Sequence, residues 1–198
     1  MQVEKDKVLI EELVKERRKG KVYYFPNGNT SAVWKALLKS GFRFGGVEWY
    51  LVDKSYVVDN IVVTEKIRKI IQQPFEVLED DRFLQPCMKM WAERFEKTER
   101  DYLFTYDILK RLSDEGYLKV FSLHIDGKLA GAEIDFIGDR TVYGLFAPWD
   151  ENYSKYSPGH YAMYCGIKYA IRIGYEYDMS DVLFDYMKIW EPKERSFE

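Results

Sequence analysis

Cysteine and histidine are scarce in this sequence, and their scarcity removes several kinds of chemistry. The 198 residues contain two cysteines, Cys87 and Cys165, and two histidines, His124 and His160. The cysteines are far apart, form no CxxC pair and have no histidine at ligand spacing, so neither a metal site nor a disulfide framework is expected. No Ser–His–Asp order, nucleophile elbow or Cys–His signature is present, which favours chemistry without a covalent enzyme intermediate.

Long apolar runs and a surplus of positive charge are missing as well. No stretch is long enough to span a bilayer and no apolar signal region opens the sequence, so we expect a cytoplasmic protein without a membrane partner. The net charge is −3 and the isoelectric point is near 5.6, which disfavours DNA as a partner. Two basic runs, at 16–21 and 66–69, are interpreted as solvated helix faces.

Apolar and aromatic residues are plentiful. Hydrophobic residues make up 46% of the chain and aromatic residues 17%, with 16 tyrosines. This supply is enough for a substantial core. The aromatic surplus suits a cleft lined by flat, amphipathic side chains, and a tyrosine-rich core and surface explains it equally well.

Apolar periodicity and turn residues predict an α+β fold in which helices flank a mixed, mostly antiparallel sheet. Asp126-Gly127-Lys128 is a hairpin signal within a three-strand meander. Residues 53–63 have only weak strand character, and the tail from Ser180 is predicted to be irregular. The predicted helices cover 6–19, 31–40, 65–72, 83–95, 106–115 and 158–173. The predicted strands cover 22–25, 42–44, 47–52, 75–78, 118–125, 129–137, 141–147 and 175–178.

The most distinctive motif is Tyr156-Ser157-Pro158-Gly159-His160, at the start of the last predicted helix. Ser157 is a good N-cap and Pro158 favours the first helical position, while Gly159 lets a ligand approach the backbone closely. The unpaired N–H groups of the first turn and the helix dipole would attract a phosphate group. An ordinary capped helix is the simpler interpretation of this motif taken alone.

The order of elements from residue 75 onward is strand, helix, helix, three-strand meander, helix, strand, and this order resembles that of the GNAT acyltransferase fold. Residues 117–190 are similar to the FemAB-like acetyltransferase branch of that superfamily, and their ending is also similar to that of aminoacyl-tRNA–protein transferases. The matching stretches are Asp126 to Gly131, Tyr153 to Gly159, Ala170 with Gly174-Tyr175 and Tyr177-Asp178, and Asp185 to Trp190.

The resemblance implies an acyl-CoA donor and assigns particular residues to it. Lys188 would meet donor phosphate or the reacting carbonyl, and a surface lysine is the alternative. Asp178, at the end of the fifth strand, would orient the acceptor amine or Lys188. His160 lies in the first turn of the helix, where it would contact the ligand or have a structural role. The residues implied to hold the donor phosphates are Lys155, Tyr156, Ser157, Pro158 and Gly159.

A carboxylate is the expected base for the proton that the acceptor amine must lose. Glu133 and Asp135 are two residues apart on one predicted strand, so they face the same side. The simpler explanation is that both side chains face solvent and alternate along the strand with apolar residues that face the core. The next strand, 141–147, has no carboxylate, which departs from the commonest GNAT pattern. The candidate acids for a leaving thiolate are Tyr143, Tyr175 and Tyr186.

FemAB-like proteins usually carry two GNAT-like repeats, and this chain is too short for both. Residues 1–60 are therefore predicted to be the back half of an eroded repeat packed on the main sheet, and residues 61–198 the acyltransferase domain. We expect an N-acyltransferase that moves an acyl group, acetyl first among them, from acyl-CoA to a primary amine of a small molecule or peptide by direct attack. The alternatives are an aminoacyl-tRNA-dependent transferase of the FemAB type, which the acidic balance disfavours, and a catalytically inactive GNAT-like binding module.

Overall fold

The computed structural model describes the backbone of residues 22–23 and all of residues 31–197. The helix predicted over 6–19, the basic run at 16–21 and the second half of the strand predicted over 22–25 lie outside the described residues.

A small layer precedes the main sheet. It contains β1 (Val22–Tyr23), α1 (Ser31–Lys39), β2 (Phe42–Phe44) and β3 (Trp49–Leu51), and its three strands pair antiparallel in the order β1-β3-β2. The apolar residues of α1 recur at helical spacing and are buried. Gly41 follows the helix with a φ of +87°, a left-handed conformation that favours glycine and ends the helix before β2.

Seven strands form the main sheet in the order β10-β4-β9-β8-β7-β6-β5. β8 and β9 run parallel, and each of the other neighbouring pairs is antiparallel. The β6–β7 hairpin turns at Asp126 and Gly127, which both have positive φ, as a type I′ turn requires. The strand bounds are β4 (Lys54–Val58), β5 (Glu76–Glu79), β6 (Leu118–Ile125), β7 (Lys128–Ile137), β8 (Thr141–Phe146), β9 (Glu176–Asp178) and β10 (Lys193–Ser196).

Two of these strands lie where the sequence predicted little structure. β4 lies in segment 53–63, which has only weak strand character in the sequence. β10 lies in the tail that was predicted to be irregular. β4 pairs with β9 on one side and β10 on the other, so partners distant in sequence stabilise it. All four residues of β10 are charged or polar, as suits an edge strand, since natural sheets protect their edges with charge. The local pattern of apolar residues indicates neither pairing with strands distant in sequence nor an edge position in a sheet.

The described helices follow the predicted order, with one shifted start. α4 begins seven residues before the predicted position, because the Thr98 hydroxyl caps it by accepting a hydrogen bond from the N–H of Asp101 at 3.1 Å. None of the described helices is both long and apolar enough to cross a membrane. The α-helix bounds are α2 (Glu65–Ile71), α3 (Leu84–Arg94), α4 (Glu99–Asp114) and α5 (Pro158–Arg172); 3₁₀ turns cover Asp81–Phe83, Glu151–Tyr156 and Met187–Trp190.

Both faces of the main sheet are covered. One face carries Ile134 and Phe136 of β7 and packs against α3, α4 and the small layer. The other face carries Val142 and Tyr177 and packs against α5. Alternating residues of the central strands are therefore buried on both sides, as in other sheets with two covered faces.

Trp34 of α1 joins the small layer to the main sheet. Its side chain is fully buried, and its ring centroid lies 4.8 Å from that of Phe44, 4.7 Å from Trp49 and 5.4 Å from Phe136 of β7. Aromatic burial of this extent dominates core energetics.

Truncation of Trp34 tests this connection. We expect Trp34→Ala to lower the free energy of unfolding by about 3–5 kcal/mol, because the change leaves a large cavity between two layers. Phe95→Ala is the control, since that ring is 53% exposed. Urea denaturation measures both variants, and equal midpoints for Trp34→Ala and wild type would contradict the role given to Trp34.

Candidate active site

The parallel strands β8 and β9 separate after a short pairing. They are in register at Thr141–Glu176, Val142–Tyr177 and Tyr143–Asp178, where β9 ends, while β8 continues to Phe146. A β-bulge in β8 opposite Ile134 and Asp135 shifts the register with β7 just beyond that point. The sheet is therefore open between the carboxyl end of β9 and the second half of β8.

A cavity of about 190 Å³ occupies this opening, and we call it the cleft. The small layer, β7, β8, α5 and the segment after β9 all contribute to its wall. Most of the lining is aromatic, aliphatic or methionine, and the charged members are Arg43, Glu133 and Asp178. An apolar pocket with a few convergent polar groups is the usual form of a ligand site.

Glu133 is the buried carboxyl group of the cleft. It is 2% exposed, and its Oε1 accepts a hydrogen bond of 2.5 Å from the Tyr177 hydroxyl. Its Oε2 receives no hydrogen bond from a described N–H or hydroxyl group. Burial raises the pKa of Glu133 to about 8, although the hydrogen bonds with Tyr177 and Asp135 oppose the rise.

Asp135 is fully buried on the same side of β7. Burial, with the nearby charge of Glu133, raises the pKa of this carboxyl well above its ordinary value. The solvent-facing interpretation of this pair was therefore wrong. Both faces of the sheet are covered, and α5 comes so close that a Cβ at Gly166 would lie 2.8 Å from Asp135 Oδ2.

Arg43 and Asp178 form a buried ion pair at the end of β9. Arg43 Nη2 lies 2.7 Å from Asp178 Oδ2, and the two side chains are 7% and 1% exposed. Arg43 Nη1 also donates to the carbonyl groups of Phe42 and Leu38 at 2.7 Å and 3.2 Å. Burial raises the pKa of Asp178 and the Arg43 charge opposes that rise.

Sequence reasoning missed Arg43, because its partner lies 135 residues away. The available signal was a single basic residue between two phenylalanines in a short strand, Phe42–Phe44. The residue shows that the small layer supplies part of the cleft wall.

Tyr186 lies at the mouth of the cleft and is 44% exposed. Its ring stacks on Phe184, with centroids 5.6 Å apart, and meets the edge of the His160 ring at 5.6 Å. Burial and the charge of Glu133 raise the pKa of Tyr186. Burial lowers the pKa of His160, partly opposed by a backbone hydrogen bond with residue 186. The start of α5 and the predicted Tyr186 are thus brought together beside Glu133.

The turn into α5 differs in detail from the predicted cap. Pro158 is the first helical residue as predicted, but Ser157 is left-handed, with φ 54° and ψ 52°, and its side chain makes no capping hydrogen bond. The indole of Trp149 lies over Gly159, where a Cβ would be 3.2 Å away. Lys155 is exposed, and its Nζ lies 4.7 Å from the centroid of the Tyr156 ring.

Several candidates from the sequence lie outside the cleft wall, namely residues 155–160, Asp135, Tyr175 and Lys188. Lys188 is on the surface, where its Nζ contacts Asp185 Oδ1 at 2.7 Å. Tyr175 does not line the cleft, whereas Tyr143 does. Within residues 31–197, no group of three or more His, Cys, Asp or Glu side chains is arranged to hold a metal ion.

The sequence matches the acetyltransferase (GNAT) domain family over residues 62–186, more than half of the chain. The protein therefore belongs to the GNAT acetyltransferase domain family, as the resemblance implied. No curated protein sequence matches this chain.

Solved structures show the same fold at low identity. FemX aligns with 83% of this chain at 14% identity and a TM-score of 0.61, and the aligned part is 66% of FemX. The C-terminal domain of a putative lysylphosphatidylglycerol synthetase from Agrobacterium fabrum aligns with 81% at 13% identity and a TM-score of 0.50, over 62% of that domain chain. A conserved protein of unknown function from Bacteroides thetaiotaomicron aligns with 94% at 18% identity and a TM-score of 0.50, over 71% of its chain. The predicted α+β GNAT-like fold is confirmed.

The Arg43–Asp178 pair yields a stability prediction. Arg43→Met removes the close partner of a buried carboxylate and leaves only Arg195, whose Nη1 is 3.9 Å from Asp178 Oδ2. We expect a loss of about 3 kcal/mol in the free energy of unfolding at neutral pH. The double variant Arg43→Met/Asp178→Asn removes the buried charge and should recover part of the loss. Lys110→Met, which breaks the surface pair with Asp114, should leave stability nearly unchanged. A double variant no more stable than Arg43→Met in denaturant titrations would contradict the ion-pair account.

Proposed function

We propose that this protein is an N-acyltransferase that moves an acyl group, acetyl first among them, from acyl-CoA to the primary amine of a small molecule or peptide. The observation that carries the proposal is the position of Glu133. Its carboxyl group is buried at the point where β8 and β9 separate, with Oε2 free of described N–H and hydroxyl donors. Such a group can accept the proton that an attacking amine must lose.

The environment of Glu133 suits a general base. A base works best when its pKa lies near the working pH, and burial raises the pKa of Glu133 to about 8. Its Oε1 is held by Tyr177, and its side chain also contacts Asp135. Oε2, which receives no hydrogen bond from a described N–H or hydroxyl group, is proposed to take the amine proton. The direct attack joins the amine nitrogen to the acyl carbon, transfers the amine proton to Glu133 and releases the thiolate.

The open edge of β8 supports the donor half of the proposal. β8 has no β9 partner beyond Tyr143, and an extended amide-bearing chain can pair with such an edge as an added strand does. The thioester of an acyl-CoA would supply an activated carbonyl at that position. The apolar lining from β8 and α5 suits the acyl group.

The remaining predicted residues are assigned by position. Tyr186 is proposed as the acid for the leaving thiolate, because it lines the cleft and its raised pKa keeps it protonated. Residues 155–160 are proposed to lie against the donor phosphates. Asp178 is proposed to fix Arg43 and the end of β9 beside the acceptor. A contact between Lys188 and the donor stays a prediction.

Donor binding is tested by thermal denaturation with CoA, acetyl-CoA and longer acyl-CoAs. A ligand at 100 times its dissociation constant adds about 2.7 kcal/mol to the free energy of unfolding, so the melting temperature should rise. UMP serves as a control for non-specific nucleotide effects. A melting temperature that no acyl-CoA raises would count against the donor and would favour the inactive-module alternative.

Turnover is tested by following free thiol from acetyl-CoA with a panel of primary amines. Glu133→Gln should lower the rate by about 100- to 10,000-fold, the usual contribution of a general base, while the acetyl-CoA thermal shift is retained. The wild-type rate should increase as the pH rises through about 8, because Glu133 must be ionised to act. Glu76→Gln, an exposed carboxyl on β5, is the matched control.

Two outcomes would redirect the proposal. Unchanged turnover in Glu133→Gln would remove Glu133 as the base. Transfer from aminoacyl-tRNA, with no thiol released from any acyl-CoA, would assign the other donor class.

A further inference from the structure

Asp135 is a buried carboxyl group that the proposed reaction does not use. It lies two residues from Glu133 on the same face of β7, and both are almost completely buried. No ion pair joins either carboxyl to a cation within the described part of the chain. Two ionised carboxylates so close together in an apolar site would repel each other and lose their hydration, so at least one of them carries a proton.

The Tyr177 hydroxyl lies between the two carboxyl groups. Its oxygen is 2.5 Å from Glu133 Oε1 and 3.3 Å from Asp135 Oδ1. A phenol has one proton, and the shorter contact takes it, so Tyr177 donates to Glu133. The contact between the Tyr177 oxygen and Asp135 is then favourable only when Asp135 carries a proton and donates it. An ionised Asp135 would place a negative oxygen against the partly negative phenol oxygen.

The remaining neighbours do not supply a compensating cation. The nearest cations are engaged by other carboxylates. Lys119 of β6 is opposite Asp135 in the β6–β7 register, but its Nζ donates to Glu79 at 2.9 Å. Arg43 in the cleft wall pairs with Asp178 at 2.7 Å.

The other titratable groups that face the two carboxyls are Cys165 and Tyr169 of α5 and Tyr186 beyond β9, and burial raises the pKa of each. All three are neutral at neutral pH. Lys168 is also on α5, but it is exposed, with its Nζ 5.6 Å from the centroid of the Tyr164 ring.

Two glycines allow the surrounding backbone to close over this cluster. A Cβ at Gly166 of α5 would lie 2.6 Å from Tyr177 Cε2 and 2.8 Å from Asp135 Oδ2. A Cβ at Gly144 of β8 would collide with the Tyr177 hydroxyl. The ring of Tyr177 is therefore held in one position, and α5 packs directly against Asp135.

We propose that Asp135 is held permanently as the neutral acid and that Asp135 and Tyr177 are positioning residues for Glu133. The one proton of neutral Asp135 is donated to the Tyr177 oxygen or to the neighbouring Glu133 carboxyl, and the Tyr177 hydroxyl donates to Glu133 Oε1. Neither positioning residue loses its proton during the reaction. Their effect is to stabilise the Glu133 carboxylate and to fix its position in the cleft wall. The catalytic role of Glu133 rests on the proposed function, but the protonation states can be tested without any substrate.

Infrared difference spectroscopy over a pH titration tests the protonation states directly, because a protonated carboxyl has its own C=O stretching band. Wild-type protein should show one such band that disappears as the pH rises through about 8 and that Glu133→Gln lacks. A second band should persist at alkaline pH and be absent from Asp135→Asn. The proposal is overturned if the persistent band survives in Asp135→Asn and is lost in Glu133→Gln, or if neutral protein has no protonated carboxyl.

Kinetics with acetyl-CoA and an amine acceptor give a second readout. Tyr177→Phe removes the hydrogen bond to the Glu133 carboxylate, so the midpoint of the pH–rate profile should move up by about 1–2 pH units. Asp135→Asn keeps a neutral donor of the same shape, so its midpoint should stay near that of wild type. Tyr106→Phe, on α4 and outside the cleft wall, is the control.

The two proposals fail in different ways. Two protonated carboxyl bands together with no turnover from any donor would leave the positioning cluster intact and remove the proposed function. Turnover with a pH midpoint that Tyr177→Phe leaves unmoved would remove the positioning role alone. If Tyr177→Phe does not fold, the infrared comparison of Asp135→Asn with Glu133→Gln still decides the matter.

Discussion

The pairing between β8 and β9 stops after three residue pairs, and the organisation of the site depends on this early end. A longer pairing would close the sheet and leave no space beside Glu133. The bulge in β8 and the ion pair between Asp178 and Arg43 both act at this point. The bulge turns the second half of β8, and the ion pair holds the end of β9 against the small layer. The opening is therefore built into the backbone.

The small layer and the main sheet each form part of the cleft wall. Trp34 packs on Phe136 of β7, and Arg43 from the same layer reaches the end of β9. One contact is apolar and the other is ionic, so packing and charge position the layer together. The predicted origin of residues 1–60 as an eroded repeat stays a prediction. The described part of that segment gives both a cleft wall and, through β4, a strand of the main sheet.

Features encoded by adjacent residues were predictable from the sequence, and features that depend on distant partners were not. The hairpin at Asp126-Gly127, the start of α5 at Pro158 and the strand order of the meander all follow from local turn and capping chemistry. β4 and Arg43 carry weak local signals because their partners lie far along the chain. The spacing of Glu133 and Asp135 correctly placed them on one face. Their burial depended on α5, which the alternation of a single strand does not reveal.

The position of β4 has a consequence for folding. Its neighbours in the sheet are β9 and β10, which follow it after most of the described chain. A chain emerging from the ribosome can form the β6–β7–β8 meander from local contacts, but β4 has to wait until residues 176–178 and 193–196 have been made. During synthesis β4 is thus an unpaired strand. The alternation of buried Ser55 and Val57 with the half-buried Lys54 and Tyr56 lessens its tendency to associate with other chains in that interval.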